Sequence, residues 1–429
     1  VKQIIKEIIS DFHATPFEPV TPRELVIPVR SGKAVSLIGP RRSGKSYYFL
    51  HLMNQLIQTG VEKTKLLYLN FEDERLNLRS EELDIILKAY QELYPNTDWK
   101  ECYFFFDEIQ NISNWEKFAR RCYDTLTRNV FLTGSNANSL SREIATAMRG
   151  RTINFEILPL SFREYLTFRN VNPSKKDSKT QSQVRRLLQE YLQEGGYPEI
   201  TQLPRPLKTQ ALQEYFDVMT YRDLIERYEF TNLAATKFFL KRLAANTTSY
   251  LSIQKVYHEL RSQGYKLDKN LLYEITEAAQ AVYLSMPISK FDFSELKRAN
   301  SNKKVYFIDN GLLNAITMKF SADHGKLLEN ACYLEFRRQQ KEVYYYKDLK
   351  ECDFILLKNE KALPVQVSYS ITDPDTYDRE LSGLLHACKK LNSKTGVLIS
   401  TTPRQNEKIE GIRIEYVSAL DFLLGKEFT

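Results

Sequence analysis

Histidine and cysteine are scarce in this chain of 429 residues, with five of each. His13, His51, His258, His324 and His386 stand far apart, so no group has the spacing of a zinc site and each reads as structural. Cys102, Cys122, Cys332, Cys352 and Cys388 form no CxxC pair. They read as reduced, mostly buried thiols, which excludes a disulfide-stapled scaffold and makes the cytoplasm the expected location. No apolar run reaches the roughly 18 residues of a membrane span, and no signal peptide is visible, so no membrane role is expected. No internal repeat with a period of about 20–50 residues is present. Strong charge is also missing: 61 Lys and Arg against 54 Asp and Glu leave +7, which permits nucleic acid as a partner without requiring it. Tyrosine and phenylalanine are plentiful, 26 and 24; most belong in cores, and a few could stack on bases. The length suggests roughly two to four domains.

The most informative stretch runs from Val35 to Ser46. A short apolar strand enters the loop Gly39-Pro40-Arg41-Arg42-Ser43-Gly44-Lys45-Ser46, which has the phosphate-binding pattern GxxxxGK[ST], and a helix beginning near Lys45 carries on through Tyr47. Glycine lets several backbone N–H groups point at one anion, and the helix start adds its positive dipole end. Lys45 can reach the outer phosphates of ATP, and the Ser46 hydroxyl can bind Mg²⁺.

A second strand is read at 65–71 and a third at 103–106, where Tyr103 and three phenylalanines precede Asp107 and Glu108. Carboxylates at the C-terminal edge of a buried parallel strand lie where open α/β sheets bind ligands. Asp107 is the expected Mg²⁺ holder and Glu108 the residue that activates water. A further strand, 129–132, leads into Thr133-Gly134-Ser135-Asn136; Ser135 or Asn136 could sense the terminal phosphate, or simply cap a helix. Arg149 and Arg151, in the segment Met148-Arg149-Gly150-Arg151, could stabilise transition-state charge in cis or from a neighbouring subunit, or be ordinary surface arginines. Alternating strands and helices imply a parallel sheet covered on both faces.

These motifs together resemble a prokaryotic AAA-type P-loop ATPase family. The resemblance is carried by GPRRSGKS, FFFDEIQN with Trp115, FLTGSN, RGR followed by the segment Leu158 to Tyr165, and Glu194-Gly195-Gly196-Tyr197-Pro198-Glu199. It covers nearly the whole chain. It implies an α/β protein with four parts: an AAA-like ATPase domain over 1–160, a helical lid over 161–231, a winged helix over 232–310, and a C-terminal PD-(D/E)XK nuclease-like α/β domain over 311–429.

Later residues fill in these parts. The polar segment 172–183 is expected to be a mobile linker. Helices at 234–245, 253–263 and 267–280, then strands at 282–288 and 303–308, give the order of a winged helix. Lys266, Lys269, Asn270 and Tyr273 would start a recognition helix, and Lys297, Arg298, Lys303 and Lys304 would lie on the wing; winged helices also serve as protein–protein modules. In the last domain, the nuclease-like pattern would place metal-holding acids at Glu329 on a helix (which also carries Glu335) and Asp353 on a strand. The third element is Gln366-Val367-Ser368 instead of Glu-x-Lys. Gln366 carries no charge and Ser368 supplies no cation, so a degenerate site is expected, with Tyr344, Tyr345, Tyr346, Lys347 and Lys350 as possible nucleic-acid contacts.

The expected activity is Mg²⁺-dependent ATP hydrolysis used to remodel or translocate on DNA, branched or four-way-junction DNA included. The alternative is an ATP-dependent switch that binds a protein partner, with the nuclease-like domain as sensor. DNA cleavage comes third. A homo-oligomer, a ring among the options, is compatible with the arginine segment.

Overall fold

Short apolar runs bounded by turns become five strands in the computed structural model, which describes residues 1–135, 148, 150–317, 323–358 and 361–428. They are β1 (Ala34–Ile38), β2 (Leu66–Asn70), β3 (Tyr103–Asp107), β4 (Val130–Gly134) and β5 (Thr152–Glu156). All pair in parallel, in the order β2-β3-β4-β1-β5. Helices α1 (Lys2–Ala14), α2 (Lys45–Gln58), α3 (Asp84–Leu93) and α4 (Trp115–Arg121) cover the sheet. Because strand side chains alternate, β3 serves two cores. Phe104 and Phe106 join Leu67, Leu69 and Leu132 in one cluster, while Phe105 joins Leu37, Phe49 and Phe131 in the other. The Phe105 and Phe131 rings stack at 4.6 Å. The chain divides into two units, Val1–Leu158 and Pro159–Thr429, and this sheet is the heart of the first.

Strand β5 does not figure in the sequence reading. Its residues Thr152 to Glu156 are mostly half-buried or exposed, as an edge strand allows, so no apolar run announces it. The first helix, Lys2–Ala14, buries Ile5 and Ile9.

In the second unit, helices α5 (Phe162–Phe168), α6 (Ser178–Glu194), α7 (Pro198–Gln202) and α8 (Arg205–Val218) lead through a π-helical segment, Met219–Glu226, to α9 (Leu233–Ala245). Then follow β6 (Ser249–Leu251), α10 (Ile253–Ser262), α11 (Lys269–Ala281), β7 (Ser285–Ile288), α12 (Glu295–Asn300) and β8 (Lys303–Phe307). β8 is the middle strand of an antiparallel sheet, β6-β8-β7. After α13 (Asn310–Ile316) and α14 (His324–Arg338), a meander of β9 (Glu342–Lys347), β10 (Glu351–Lys358) and β11 (Lys361–Ser368) opens a six-stranded sheet. That sheet is completed by α15 (Pro374–Lys390), β12 (Thr395–Ser400), β13 (Glu407–Ile409), β14 (Ile412–Ser418) and α16 (Ala419–Leu423), in the order β13-β14-β12-β11-β10-β9.

The polar segment 172–183 is not wholly a linker: its second half is the start of α6. Asp177 accepts the Thr180 N–H at 2.8 Å and caps the helix, a local signal that outweighs the polar composition.

Two of the sequence motifs are joints within this unit. Gly195 stands at φ +78°, and a Cβ there would lie 2.1 Å from Asp309 Oδ1. Gly196 donates its N–H to Asp309 Oδ2 at 2.6 Å and accepts the Leu160 N–H at 2.7 Å. Asp309 Oδ1 also accepts the Leu312 N–H at 2.8 Å, capping α13. Burial pushes the Asp309 carboxyl up to about 6, and these backbone donors oppose the rise. Along 158–165, Ser161 and Glu164 form a capping box for α5, and Arg163 pairs with buried Glu335 at 3.0 Å. Arg338 donates to the carbonyls of Pro159 and Leu160 at 2.8 and 3.1 Å.

Asp309→Asn turns one acceptor into a donor that faces the Gly196 N–H. It should lower the stability of this unit by about 1–3 kcal/mol, read as a lower urea midpoint at unchanged slope.

Candidate functional site

The loop from Gly39 to Ser46 forms at the C-terminal end of β1, inside the parallel sheet. Gly39 is required by space: a Cβ there would lie 2.1 Å from the Ile157 carbonyl oxygen. Arg42 and Gly44 stand at positive φ, 64° and 98°, and Gly44 caps α2 from the left-handed region. Ser43 donates its N–H to Pro40 at 3.3 Å, while its hydroxyl is buried with no hydrogen-bond partner among the described residues. Arg23 braces the loop, donating to the Ser43 carbonyl at 2.8 Å and to that of Leu158 at 2.7 Å. The Tyr48 hydroxyl donates to Leu25 at 2.6 Å, so the extended 23–28 segment lies beside the loop. Arg41 pairs with Glu72 at 2.7 Å, and Tyr47 leaves the loop 65% exposed.

Lys45 is 4% exposed. Its ammonium donates to the Gly39 and Pro40 carbonyls at 3.2 and 3.1 Å and meets Glu108 Oε1 at 3.2 Å. Burial alone would raise the Glu108 carboxyl; the Lys45 ammonium, the Gln110 amide and Arg41 together hold it below the usual range. Glu108 has φ +51°, a left-handed conformation rare for a side-chain-bearing residue and one that clusters at functional sites. Asp107 is fully buried, and burial raises its carboxyl while the Ser46 and Thr133 hydroxyls that hydrogen-bond to it pull the other way.

The structure thus brings Lys45, Ser46, Asp107 and Glu108 to one sheet edge, and it adds three residues that the sequence reading missed. The Thr133 hydroxyl donates to Asp107 Oδ1 and accepts the Glu108 N–H at 2.8 Å. Tyr68 donates to Asp107 Oδ2 at 3.0 Å, and Gln110 donates to Glu108 Oε2. Strand register was the available signal for Thr133, since Phe106 pairs with Leu132 and so the next residues are neighbours. The loop backbone, the Ser43 hydroxyl without a partner among the described residues and the Ser46–Asp107 pair fit a nucleotide phosphate with a hard divalent cation.

Other predicted residues fall elsewhere. Ser135 is buried just past β4; Asn136 and Arg149 lie outside the described residues. Arg151 does not serve the phosphate loop of its own chain. Its carbonyl accepts the Ala34 N–H at the start of β1, the end of the sheet opposite the loop, and its guanidinium pairs with Asp124 at 2.9 Å.

On the middle segment, Lys266, Asn270, Tyr273 and Lys297 are exposed, while Lys269 and Arg298 are half-buried. Lys269 lies over the Tyr273 ring, and Arg298 lies over Tyr344 and pairs with Glu295. The exposed face of α11 also carries Glu274 and Glu277. Lys304 is not a wing residue: it is 1% exposed and contacts Glu329, Glu351 and Asp353. Tyr345 and Tyr346 are core, whereas Lys347 and Lys350 are exposed.

In the last sheet, a β-bulge between Cys352 and Ile355 re-aims Asp353, whose Oδ2 accepts the Val367 N–H at 3.1 Å. Burial, reinforced by the Asp353 charge, pushes the Glu329 carboxyl up to about 8 against the pull of Lys304 and Tyr306. Gln366 is turned away from a ligand's role, accepting the Asp353 N–H at 3.1 Å and donating to Glu380.

Residues 31–166 match the AAA-domain family model, and 185–323 and 324–420 match two models described as domains of unknown function, DUF8612 and DUF4143. An uncharacterized protein of Methanocaldococcus jannaschii is 33% identical over 399 residues, 91% of this chain and 87% of that protein. The chain belongs to its family, and its first unit is that of an AAA-type P-loop ATPase. An uncharacterized protein of Haemophilus influenzae is 32% identical over 90% of this chain and 93% of its own length. Among solved structures, a Walker-type ATPase of Pyrococcus abyssi is 16% identical at TM-score 0.43, covering 70% of this chain and 99% of that one. The Orc1 protein of Aeropyrum pernix, solved in complex with DNA, is 11% identical at TM-score 0.30, covering 73% and 91%. The AAA match rests on residues 31–166, while the two relatives match over most of the chain. Among the described residues, no helix is long and apolar enough to cross a membrane.

Thr133→Val keeps the shape but strips a partner from both Asp107 and the Glu108 N–H. A stability loss of about 1–3 kcal/mol is expected in urea unfolding, against no comparable loss for Thr125→Val, whose hydroxyl is exposed.

Proposed function

We propose that this protein is a Mg²⁺-dependent ATP hydrolase of the AAA type. The observation that carries the reading is the convergence of Lys45, Ser46, Asp107, Glu108 and Thr133 at the mouth of the phosphate loop. The N–H groups of Gly39 to Ser46 would bind the phosphates, with Lys45 on the outer ones. Ser46 and Asp107 would hold Mg²⁺, which supplies charge neutralisation on the phosphates. Glu108 orients and deprotonates the attacking water. In the structure it is held by Lys45 and Gln110. Phosphate oxygens compete for the Lys45 ammonium, which loosens that hold and leaves the carboxylate to accept a proton.

The reading extends to DNA as partner. Three helices, α9 to α11, with the small antiparallel sheet β6-β8-β7 are compatible with a winged helix over 232–310, following a helical lid over 161–231. Lys266 and Asn270 at the head of α11, and Lys297 in the β7–β8 connection, offer exposed groups to phosphates. The mixed sheet of 311–429 is compatible with a nuclease-like domain that reads DNA by shape, junctions included. One observation favours the second reading, a nucleotide-dependent switch for a protein partner: Glu274 and Glu277 share the exposed face of α11, and Phe293 and Leu296 stand 82% and 72% exposed near Lys297.

Phosphate release decides the first point. Lys45→Ala should weaken ATP binding at least about tenfold. Glu108→Gln should bind ATP normally and hydrolyse it on the order of 10²–10⁴-fold more slowly; normal turnover in that variant rules out Glu108 as the base. For the partner, electrophoretic mobility shifts with duplex, single-stranded and four-way-junction DNA should show binding that weakens steeply with salt and stimulates ATP turnover. No binding at low salt, with capture of a protein partner in an ATP-dependent manner, supports the switch.

A further inference from the structure

The resemblance to nuclease-like domains implies a divalent metal at Glu329 and Asp353, and the residues present do not fit one. The Lys304 ammonium stands among those carboxylates, 2.8 Å from Glu329 Oε1, 2.9 Å from Asp353 Oδ1 and 3.3 Å from Glu351 Oε1. These are ammonium distances; a Mg²⁺–oxygen bond is about 2.0–2.1 Å and a Ca²⁺–oxygen bond about 2.3–2.6 Å. We propose that Lys304 is the resident cation of this cluster, holding the place a divalent metal would take, and that the cluster is a structural ion core closed to metal-dependent cleavage.

Each acid already has one oxygen on the lysine. A lysine ammonium has three donors, and three carboxylates receive them. Glu329 Oε1 also accepts the Tyr306 hydroxyl at 2.7 Å. The second oxygen of Asp353 is taken by the Val367 N–H, and the Gln366 carbonyl oxygen by the Asp353 N–H. No group of metal-ligating side chains among the described residues is arranged to hold an ion.

Access is closed as well. The side chains of Lys304, Asp353 and Glu329 are 1%, 9% and 12% exposed, and only Glu351, at 38%, reaches water. A cleavage site needs room for a metal and a phosphodiester together. The lysine cannot swing clear at little cost, since its backbone lies in the middle strand β8, paired to Tyr250 on one side and Ile288 on the other. Tyr306, two residues on, points its hydroxyl to the same cluster, as strand alternation requires. So the cation that Gln366-Val367-Ser368 fails to supply comes from another strand, and it arrives as a ligand-saturating plug. Burying Glu329 and Asp353 side by side is tolerable only with such a partner.

The test uses the full chain without nucleotide and Mn²⁺ as probe. Wild-type protein should show no Mn²⁺-dependent change in its thermal midpoint. Lys304→Ala should melt lower, and saturating Mn²⁺ should raise its midpoint by roughly 5–10 °C, the shift expected at about 100 times Kd for a unit of this size. Adding Asp353→Asn should abolish that rise, which separates it from Mn²⁺ at Asp107. A folded Lys304→Ala that ignores Mn²⁺ overturns the proposal. If Lys304→Ala does not fold, wild-type protein loaded with Fe²⁺ and treated with ascorbate and peroxide decides. Absence of backbone scission near 329 and 353 supports the proposal, and scission there overturns it. Mn²⁺-dependent DNA cutting by wild type that Lys304→Ala loses also overturns it, by making the lysine catalytic.

Discussion

Two ammonium groups, those of Lys45 and Lys304, are almost wholly withdrawn from water, and each is met by carboxylates of its own unit. A charge in a low-dielectric interior is tolerable only when paired and hydrogen-bonded, so each pairing dictates the groups around it. Around Lys45 those groups are two loop carbonyls and Glu108, itself steadied by Gln110. Around Lys304 they are acids from a helix and a bulged strand. The difference in outcome follows from what else can compete. The first ammonium sits at the mouth of a loop whose N–H groups suit an anion. The second has carboxylates around it, each engaged by the lysine itself.

How much of this was legible in the sequence follows from how local each feature is. The phosphate loop is contiguous, so Gly39, Gly44 and Lys45 declare it in eight letters. Asp107 and Glu108 were legible because a run of aromatic residues fixes where the strand ends. Thr133 and Tyr68 were not, because their approach to Asp107 depends on the pairing of β3 with β4 and with β2. Where Arg151 lies in its own chain was hidden for the same reason: it follows the FLTGSN segment, yet the parallel return of β5 starts at the end of the sheet opposite the loop. Lys304 read as a surface lysine among other lysines. Only the fold reveals that acids about 25 and 50 residues later in the chain gather around it.

The family motifs outside the loop gain a physical meaning that their letters did not disclose. The paired glycines at 195 and 196 allow a carboxylate to come within hydrogen-bond reach of bare backbone, and Asp309 uses that approach to hold a turn and a helix start together. The 158–165 segment is held by Arg163 and Arg338 through buried Glu335 and through backbone carbonyls. Both motifs are thus parts of the scaffold of the second unit.

Arg23 gives the first unit a mechanical property. One guanidinium holds the carbonyl of Ser43, in the middle of the phosphate loop, and the carbonyl of Leu158, where the chain leaves the unit. A planar fork with both prongs anchored sets the separation of those two carbonyls for as long as both bonds hold. The phosphate loop and the last residue of the unit are therefore tied to each other through a single side chain.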